Sequence, residues 1–253
     1  ALISAGFVTA AGALSWGGAL IAGVAGAVVA AGVGYGLSAA FGLNRVKANS
    51  ARAQDRKQTI RSSVAPRQVV YGAARVSGPI VYASSSGDAK QFLHLIVPLA
   101  GHRVSAPLAL WVNDERIPFA DFSPTTSLAT TGRYANRLRF QFFAGNQTTA
   151  CSAKDETSDG WSADHILRET AYMYLRLEYD RDVFANGPGA LSVEMQGHSQ
   201  ILDPRTNATG YSNNPALCIL HYLTSAGGLA CSADEIDTAS FAAAANVCDE
   251  LVT

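Results

Sequence analysis

The sequence predicts a mainly β, α+β protein with a hydrophobic helical leader, β-barrel- or sandwich-like domains and a short helical stretch at the end. Three observations carry this. No charged side chain occurs in residues 1–44. From residue 65 to 195, apolar residues fall in short runs, several alternating, broken by Gly, Pro, Asn and Asp. That is the pattern of antiparallel strands with tight turns. From Asp203 onward helix caps replace turns, and the apolar spacing lengthens to three and four. The expected organisation is a Gly/Ala-rich helical segment (residues 1–44), a basic linker (45–64), a β-rich body (65–202) and a helical stretch (203–253). The chain stops just past its last expected helix, which suggests a longer protein.

The leader is long enough for one membrane span or a hairpin of two. It has no basic n-region, and its apolar run is too long for a signal peptide. Gly18, Ala22, Gly26, Ala30 and Gly34 recur every fourth position. On a helix they form a smooth ridge that lets backbones approach, a candidate self-association surface. Each glycine costs roughly 1 kcal/mol in an isolated helix in water. Such a helix needs neighbours, either copies of itself or lipid. Two readings stay open: a membrane-active element, or a helix sheltered inside an assembly. In the linker, Arg45, Lys47, Arg52, Arg56, Lys57 and Arg61, with Arg67 just beyond, are opposed only by Asp55. This is a solvated linker or a contact with an anionic surface. No aromatic residue is interleaved for base stacking.

The body begins with Val69, Val70, Tyr71 and Gly72, leading to Val76. A break at Ser77-Gly78-Pro79 precedes Ile80, Val81 and Tyr82, and residues 84–88 read as a polar turn. The run from Phe92 to Leu99 is nearly all apolar, fit for burial on both faces. Leu108, Leu110 and Val112 alternate, and Asn113-Asp114 turns the chain into Glu115, Arg116 and Ile117. Leu138, Phe140 and Phe142 alternate with Arg139 and Gln141. Residues 151–159 read as a polar surface loop and 161–170 as a short helix or turn. Met173, Leu175, Leu177 and Tyr179 share one face of a strand. Asn186-Gly187-Pro188-Gly189 breaks the chain before a strand at 191–195.

In the helical stretch, Asn214 is placed to cap a helix with Pro215 at its first position. Leu217, Leu220 and Leu223 give it an apolar face, and Gly227-Gly228 stops it. Ser232 and Glu235 fit a capping box. The helix after it would turn Phe241, Ala244, Ala245, Cys248 and Leu251 to one side.

A formal net charge of -1 gives no reason to expect a nucleic-acid partner. Cys151, Cys218, Cys231 and Cys248 lack the spacing of a metal site, and small buried thiols are the plainer reading of Cys218 and Cys248. No phosphate-loop motif occurs in the glycine-rich leader, so no cofactor is expected. His94, inside an apolar run, reads as a satisfied core or interface residue rather than a base. Asp164-His165 lacks a nearby nucleophile. Glu178, Asp180 and Asp182 read as solvated charges at a strand exit rather than a glycosidase pair. No enzymatic activity is expected.

The order of the motifs carries more information than any one of them. Pro66-Arg67-Gln68-Val69-Val70-Tyr71-Gly72 comes first. Leu93-His94-Leu95, Leu99-Ala100-Gly101-His102 and Trp111-Val112-Asn113-Asp114-Glu115 follow. Then come Tyr179-Asp180-Arg181-Asp182-Val183-Phe184-Ala185-Asn186-Gly187, Asp203-Pro204-Arg205-Thr206, Tyr211-Ser212-Asn213-Asn214-Pro215-Ala216-Leu217-Cys218 and Ala245-Asn246-Val247-Cys248-Asp249-Glu250. This series resembles the hub, or tip attachment, proteins of long-tailed bacteriophages, the family of the lambda host-specificity protein, over residues 65–250. The resemblance implies a homotrimer closing the distal end of the tail tube, its β domains continuing the tube's ring symmetry. It implies contacts with the tail tube protein, the tape-measure protein and other tail-tip proteins. It implies roles in tail assembly, host attachment and genome ejection. The location implied is the virion tail tip, after assembly in the bacterial cytoplasm, with the host membrane a further candidate partner during infection. Residues 1–44 have no counterpart at the start of the lambda protein; they are similar to a hydrophobic stretch in a small tail assembly protein of the same phages. The competing reading is a membrane-active, pore-forming protein acting through residues 1–44.

Overall fold

The computed structural model describes residues 67–250, apart from Asp159, Ala185 and Asn186. The leader and the basic linker lie outside the described residues. Eight strands build the body: β1 (Ala73–Val76), β2 (Tyr82–Ser86), β3 (Phe92–Ala100), β4 (Val104–Val112), β5 (Glu115–Pro118), β6 (Leu138–Phe143), β7 (Ala171–Glu178) and β8 (Leu191–His198). They form two four-stranded sheets, ordered β1-β8-β4-β5 and β2-β3-β7-β6, with every pairing antiparallel. Leu93, Leu95, Leu138, Phe140 and Leu175 from one sheet share a core with Leu110, Val112, Val193 and Met195 from the other. Two separate ladders facing one core make a sandwich, not a barrel.

β3 is buried on both faces, as its apolar run predicts. Its second face is covered from the segment between β6 and β7, where the expectation of a surface loop over 151–159 fails at Cys151 and Ala153. Cys151, Ala153 and Trp161 are buried against Ile96, Tyr172 and Tyr174. The short helix α1 (Ala153–Glu156) sits in this cover. Three apolar residues among many polar ones suffice because the sheet supplies the other half of the cluster.

Two strand details also differ. The serines of 84–86 belong to β2, where Ser84 stands opposite His94; the turn comes at Gly87, whose φ is 88°. In β4 the register shifts between Pro107 and Ala109, leaving Leu108 without a cross-strand partner. This bulge puts Ala109 beside Leu110 among the buried residues and breaks the expected alternation.

After β8 the chain leaves the sandwich for an appendage. A short hairpin, β9 (Ile201–Asp203) with β10 (Ala208–Gly210), leads to α2 (Pro215–Thr224) and α3 (Thr238–Cys248). The cap of α2 forms as the sequence predicts: the Asn214 side chain accepts from the amides of Ala216 at 3.0 Å and Leu217 at 3.4 Å. Leu217 and Leu220 are buried, each worth about 2 kcal/mol. The helix ends at Thr224, before the glycines. Gly228 is still required, because a Cβ there would overlap the Tyr222 carbonyl oxygen. The Ser232–Glu235 capping box exists, but it opens only a single 3-10 turn (Ala233–Glu235). The cap of α3 is Asp237, which accepts from Ala239 and Ser240. α3 buries only Ala245; Ala244 and Cys248 are exposed, contrary to the expected apolar side. Among the described residues, no helix is long and apolar enough to cross a membrane.

Candidate functional site

Motif residues hold separate segments of the chain together at three junctions. The first joins the start of the body to the sandwich. The Gln68 carbonyl accepts from Gly101 at 3.0 Å, and the Gly72 carbonyl accepts from Gly197 at 2.7 Å. His102 Nε2 accepts the Val70 amide at 2.9 Å. Gly197 is needed for this approach, since a Cβ there would collide with the Val70 carbonyl. In the second junction, Asn113 (φ 56°) turns β4 into β5 and also holds residue 190. Its amide donates to the Ala190 carbonyl at 2.7 Å, and its side-chain oxygen accepts from Ala190 at 3.0 Å.

The third junction is a polar clasp that binds hairpin, α2 and α3 together. Arg205 makes a bidentate pair with Asp203, with its Nε 3.0 Å from Oδ1 and its Nη2 2.8 Å from Oδ2. It also donates to Asp249 at 2.7 Å and to Asn246 at 3.0 Å. Asn214, besides capping α2, donates its amide to the Ala245 carbonyl at 2.9 Å and to Asp249 at 2.8 Å. Hydrogen bonds from Arg205 hold the carboxyls of Asp203 and Asp249 below their usual range, and Asn214 adds to the effect at Asp249. A shallow depression of about 290 Å³ lies over this clasp, lined in part by Asp203, Arg205, Asn214 and Asp249.

A seam of rings joins the appendage to the sandwich. His198 at the end of β8 stacks on His102 at 4.4 Å and lies 4.0 Å from His221 of α2, centroid to centroid. The Tyr71 hydroxyl is 2.8 Å from His221 Nδ1. No single sequence signal marks this seam, because its members come from four separate segments. The outward side of the appendage carries exposed Ile219, Tyr222, Leu229 and Val247.

His94, His165, Glu178 and Asp180 each have structural partners. His94 is fully buried, with Nε2 2.7 Å from Ser86 Oγ and Nδ1 2.9 Å from the Tyr174 hydroxyl. Burial lowers its pKa to about 4, so its neutral form is the stable one. That is the satisfied core histidine the sequence suggests. Glu178 and Asp180 pair with Arg137, and Asp180 also caps the turn at Asp182 and Val183. His165 Nδ1 accepts the Ser162 amide at 3.0 Å. Burial pushes the Cys151 thiol up to about 11. All four cysteines are free: Cys151 is buried, Cys218 and Cys231 are half-buried and Cys248 is exposed. Cys248 therefore does not fit the buried-thiol expectation. Among the described residues, no group of three or more His, Cys, Asp or Glu is arranged to hold a metal ion. The ridge of Gly18, Ala22, Gly26, Ala30 and Gly34 lies outside the described residues.

No protein-family model matches this chain, and no curated protein does. Among solved structures, a chain from the virion of a native gene transfer agent particle matches with a TM-score of 0.36 and 15% identity. The match covers 79% of this chain and 48% of that one, so this chain spans about half that chain's length. A likeness at this level assigns neither fold nor function.

Proposed function

We propose that this chain is a structural protein of a phage-like virion, the trimeric hub that closes the distal end of the tail tube. In this role it takes part in tail assembly, host attachment and genome ejection, beside the tube, tape-measure and other tail-tip proteins. The observation that carries the reading is the ordered motif series. In this chain several of its members are the residues that staple separate segments together, so the series marks a particular tertiary arrangement and not chance composition. Three copies of residues 1–44, packed through the Gly18-to-Gly34 ridge, would form a bundle on the tail axis. The protein acts by assembly rather than catalysis, and purified peptidoglycan should remain intact in its presence.

The test is imaging of purified particles labelled on the β body, together with mass measurement of the complex released from them. Three copies at the distal tip are expected, with interfaces burying more than about 2,000 Å². A monomer in the released complex, or label anywhere but the tip, overturns the reading. Gly26→Leu should impair particle assembly; normal assembly and infection with several such changes would remove the ridge from the proposal. The uncharged leader also favours a second reading, a pore-forming protein. Leakage of lipid vesicles caused by the full chain, and abolished by deleting residues 1–44, would support that reading over the hub.

A further inference from the structure

We propose that the three-histidine seam is an acid-opened latch between the sandwich and the appendage of residues 199–250. The hydrogen bonds leave His102 and His198 no room for a second proton. His102 Nδ1–H donates to the Arg103 carbonyl at 2.9 Å, while Nε2 accepts the Val70 amide. A proton on Nε2 would meet the Val70 N–H head-on. His198 Nδ1 accepts the Gln200 amide at 3.1 Å, so its second proton would meet that N–H in the same way. Gln200 lies in the two-residue link between β8 and β9, where the appendage leaves the sandwich. Charging either ring therefore breaks a backbone hydrogen bond at the junction. Charging two places like charges 4.0 to 4.4 Å apart, centroid to centroid.

Among the described residues, no carboxylate is paired with a seam ring to offset that charge. The seam is faced by Tyr71 from the segment before β1 and by His198 from β8. The β3–β4 turn contributes His102 and Arg103, with the Arg67 stem against Gly101, and α2 contributes Cys218, His221 and Tyr222. The Arg103 guanidinium is turned to Glu169. Among the described residues, none of the ion pairs involves a seam histidine. Burial lowers the pKa of all three rings, that of His198 to about 4, with His221 and His102 adding to the effect there. The open state thus binds protons more readily. The latch holds fully above the ordinary histidine value near 6.5 and weakens as pH falls below it, by up to tenfold per pH unit for each proton taken up.

Hydrogen exchange of the full chain at pH 7.5 and pH 5.0, corrected for intrinsic rates, tests the latch. The amides of α2 should lose at least tenfold more protection than those of β3 and β7. The double variant His198→Asn, His221→Asn should shrink this difference to what His102 alone supports, since an asparagine oxygen can take the place of Nδ1 without titrating. Unchanged α2 protection at pH 5.0, equal loss in α2 and the strands, or the same loss in the variant would overturn the latch. If the variant does not fold, titrating the wild-type rings by NMR decides. Protonation of all three below pH 6.5 supports the latch, and protonation at or above it refutes it.

Discussion

Replacing Glu156 by Gln removes the one negative charge that lets two arginines stand side by side. Arg139 of β6 and Arg176 of β7 are directly opposite in the ladder, an unfavourable placement for like charges. Glu156, reaching down from α1, pairs with both: Oε1 with Arg139, and Oε2 with Arg176 Nη1 at 2.8 Å. The three side chains are only 19–21% exposed, so water screens them weakly. Two guanidinium charges about 5 Å apart in an effective dielectric of 20 repel by about 3 kcal/mol. A glutamine can still bond one arginine but neutralises neither. The expected loss for Glu156→Gln is about 3 kcal/mol, in line with other broken buried pairs. In a domain this size that lowers the melting temperature by about 6–12 °C. Urea unfolding of the full chain is the assay, read as a lower midpoint at constant slope. Replacing all three residues by Leu or Met of similar volume should restore most of the stability, because apolar groups have no charge to desolvate. A loss under about 0.5 kcal/mol for Glu156→Gln, or a triple variant worse than the single one, would refute the reasoning.

Asn214→Ala removes a helix cap and the bond to the Ala245 carbonyl at once, so thermal unfolding should show a loss of about 2 kcal/mol. Asn214→Asp keeps the cap but sets a carboxylate against Asp249, and should recover little of it. Alkylation followed by mass spectrometry at neutral pH should modify exposed Cys248 first and buried Cys151 only on unfolding. For His94 the folded pKa is about 4, below the unfolded value, so its contribution is fully present above pH 6.5 and is lost as pH falls toward 4. His94→Gln should flatten the acid limb of the stability curve over that window, and an unchanged limb would mean His94 does not contribute to it.

Local signals were legible in the sequence, and cross-chain ones were not. Asn214-Pro215 and Asn113-Asp114 were readable because cap and turn chemistry acts within a few residues. The extra burial of β3 was readable because an unbroken apolar run needs cover on both faces. The cover itself was not, since Cys151, Ala153 and Trp161 become buried only against Ile96, Tyr172 and Tyr174, which their own pattern does not reveal. The bulge at Leu108 likewise depends on the partner strand. The capping box at Ser232 was correct chemistry in front of the wrong element, because Asp237 starts a better-capped helix a few residues later. The histidine seam was invisible, since Tyr71 and His221 are 150 residues apart.

The two halves of the described chain are held by different forces. The sandwich buries large side chains in two clusters, among them Tyr172, Tyr174, Phe140 and seven Leu or Ile residues. The appendage has a core of Ile201, Ala216, Leu217 and Ala245, with Tyr71 and Cys218 packed against it, and relies on the Arg205–Asp203–Asp249–Asn214 clasp. Its α3 fits the clasp through Asp249 and Asn246 while leaving most of its surface in water. A unit with so little apolar burial should open locally at a free energy well below that of the sandwich. The neutral rings of the seam lie where this unit meets the sandwich, so charging them should act on the appendage first. A change at His198 should accordingly alter the exchange of α2 amides far more than it alters global unfolding.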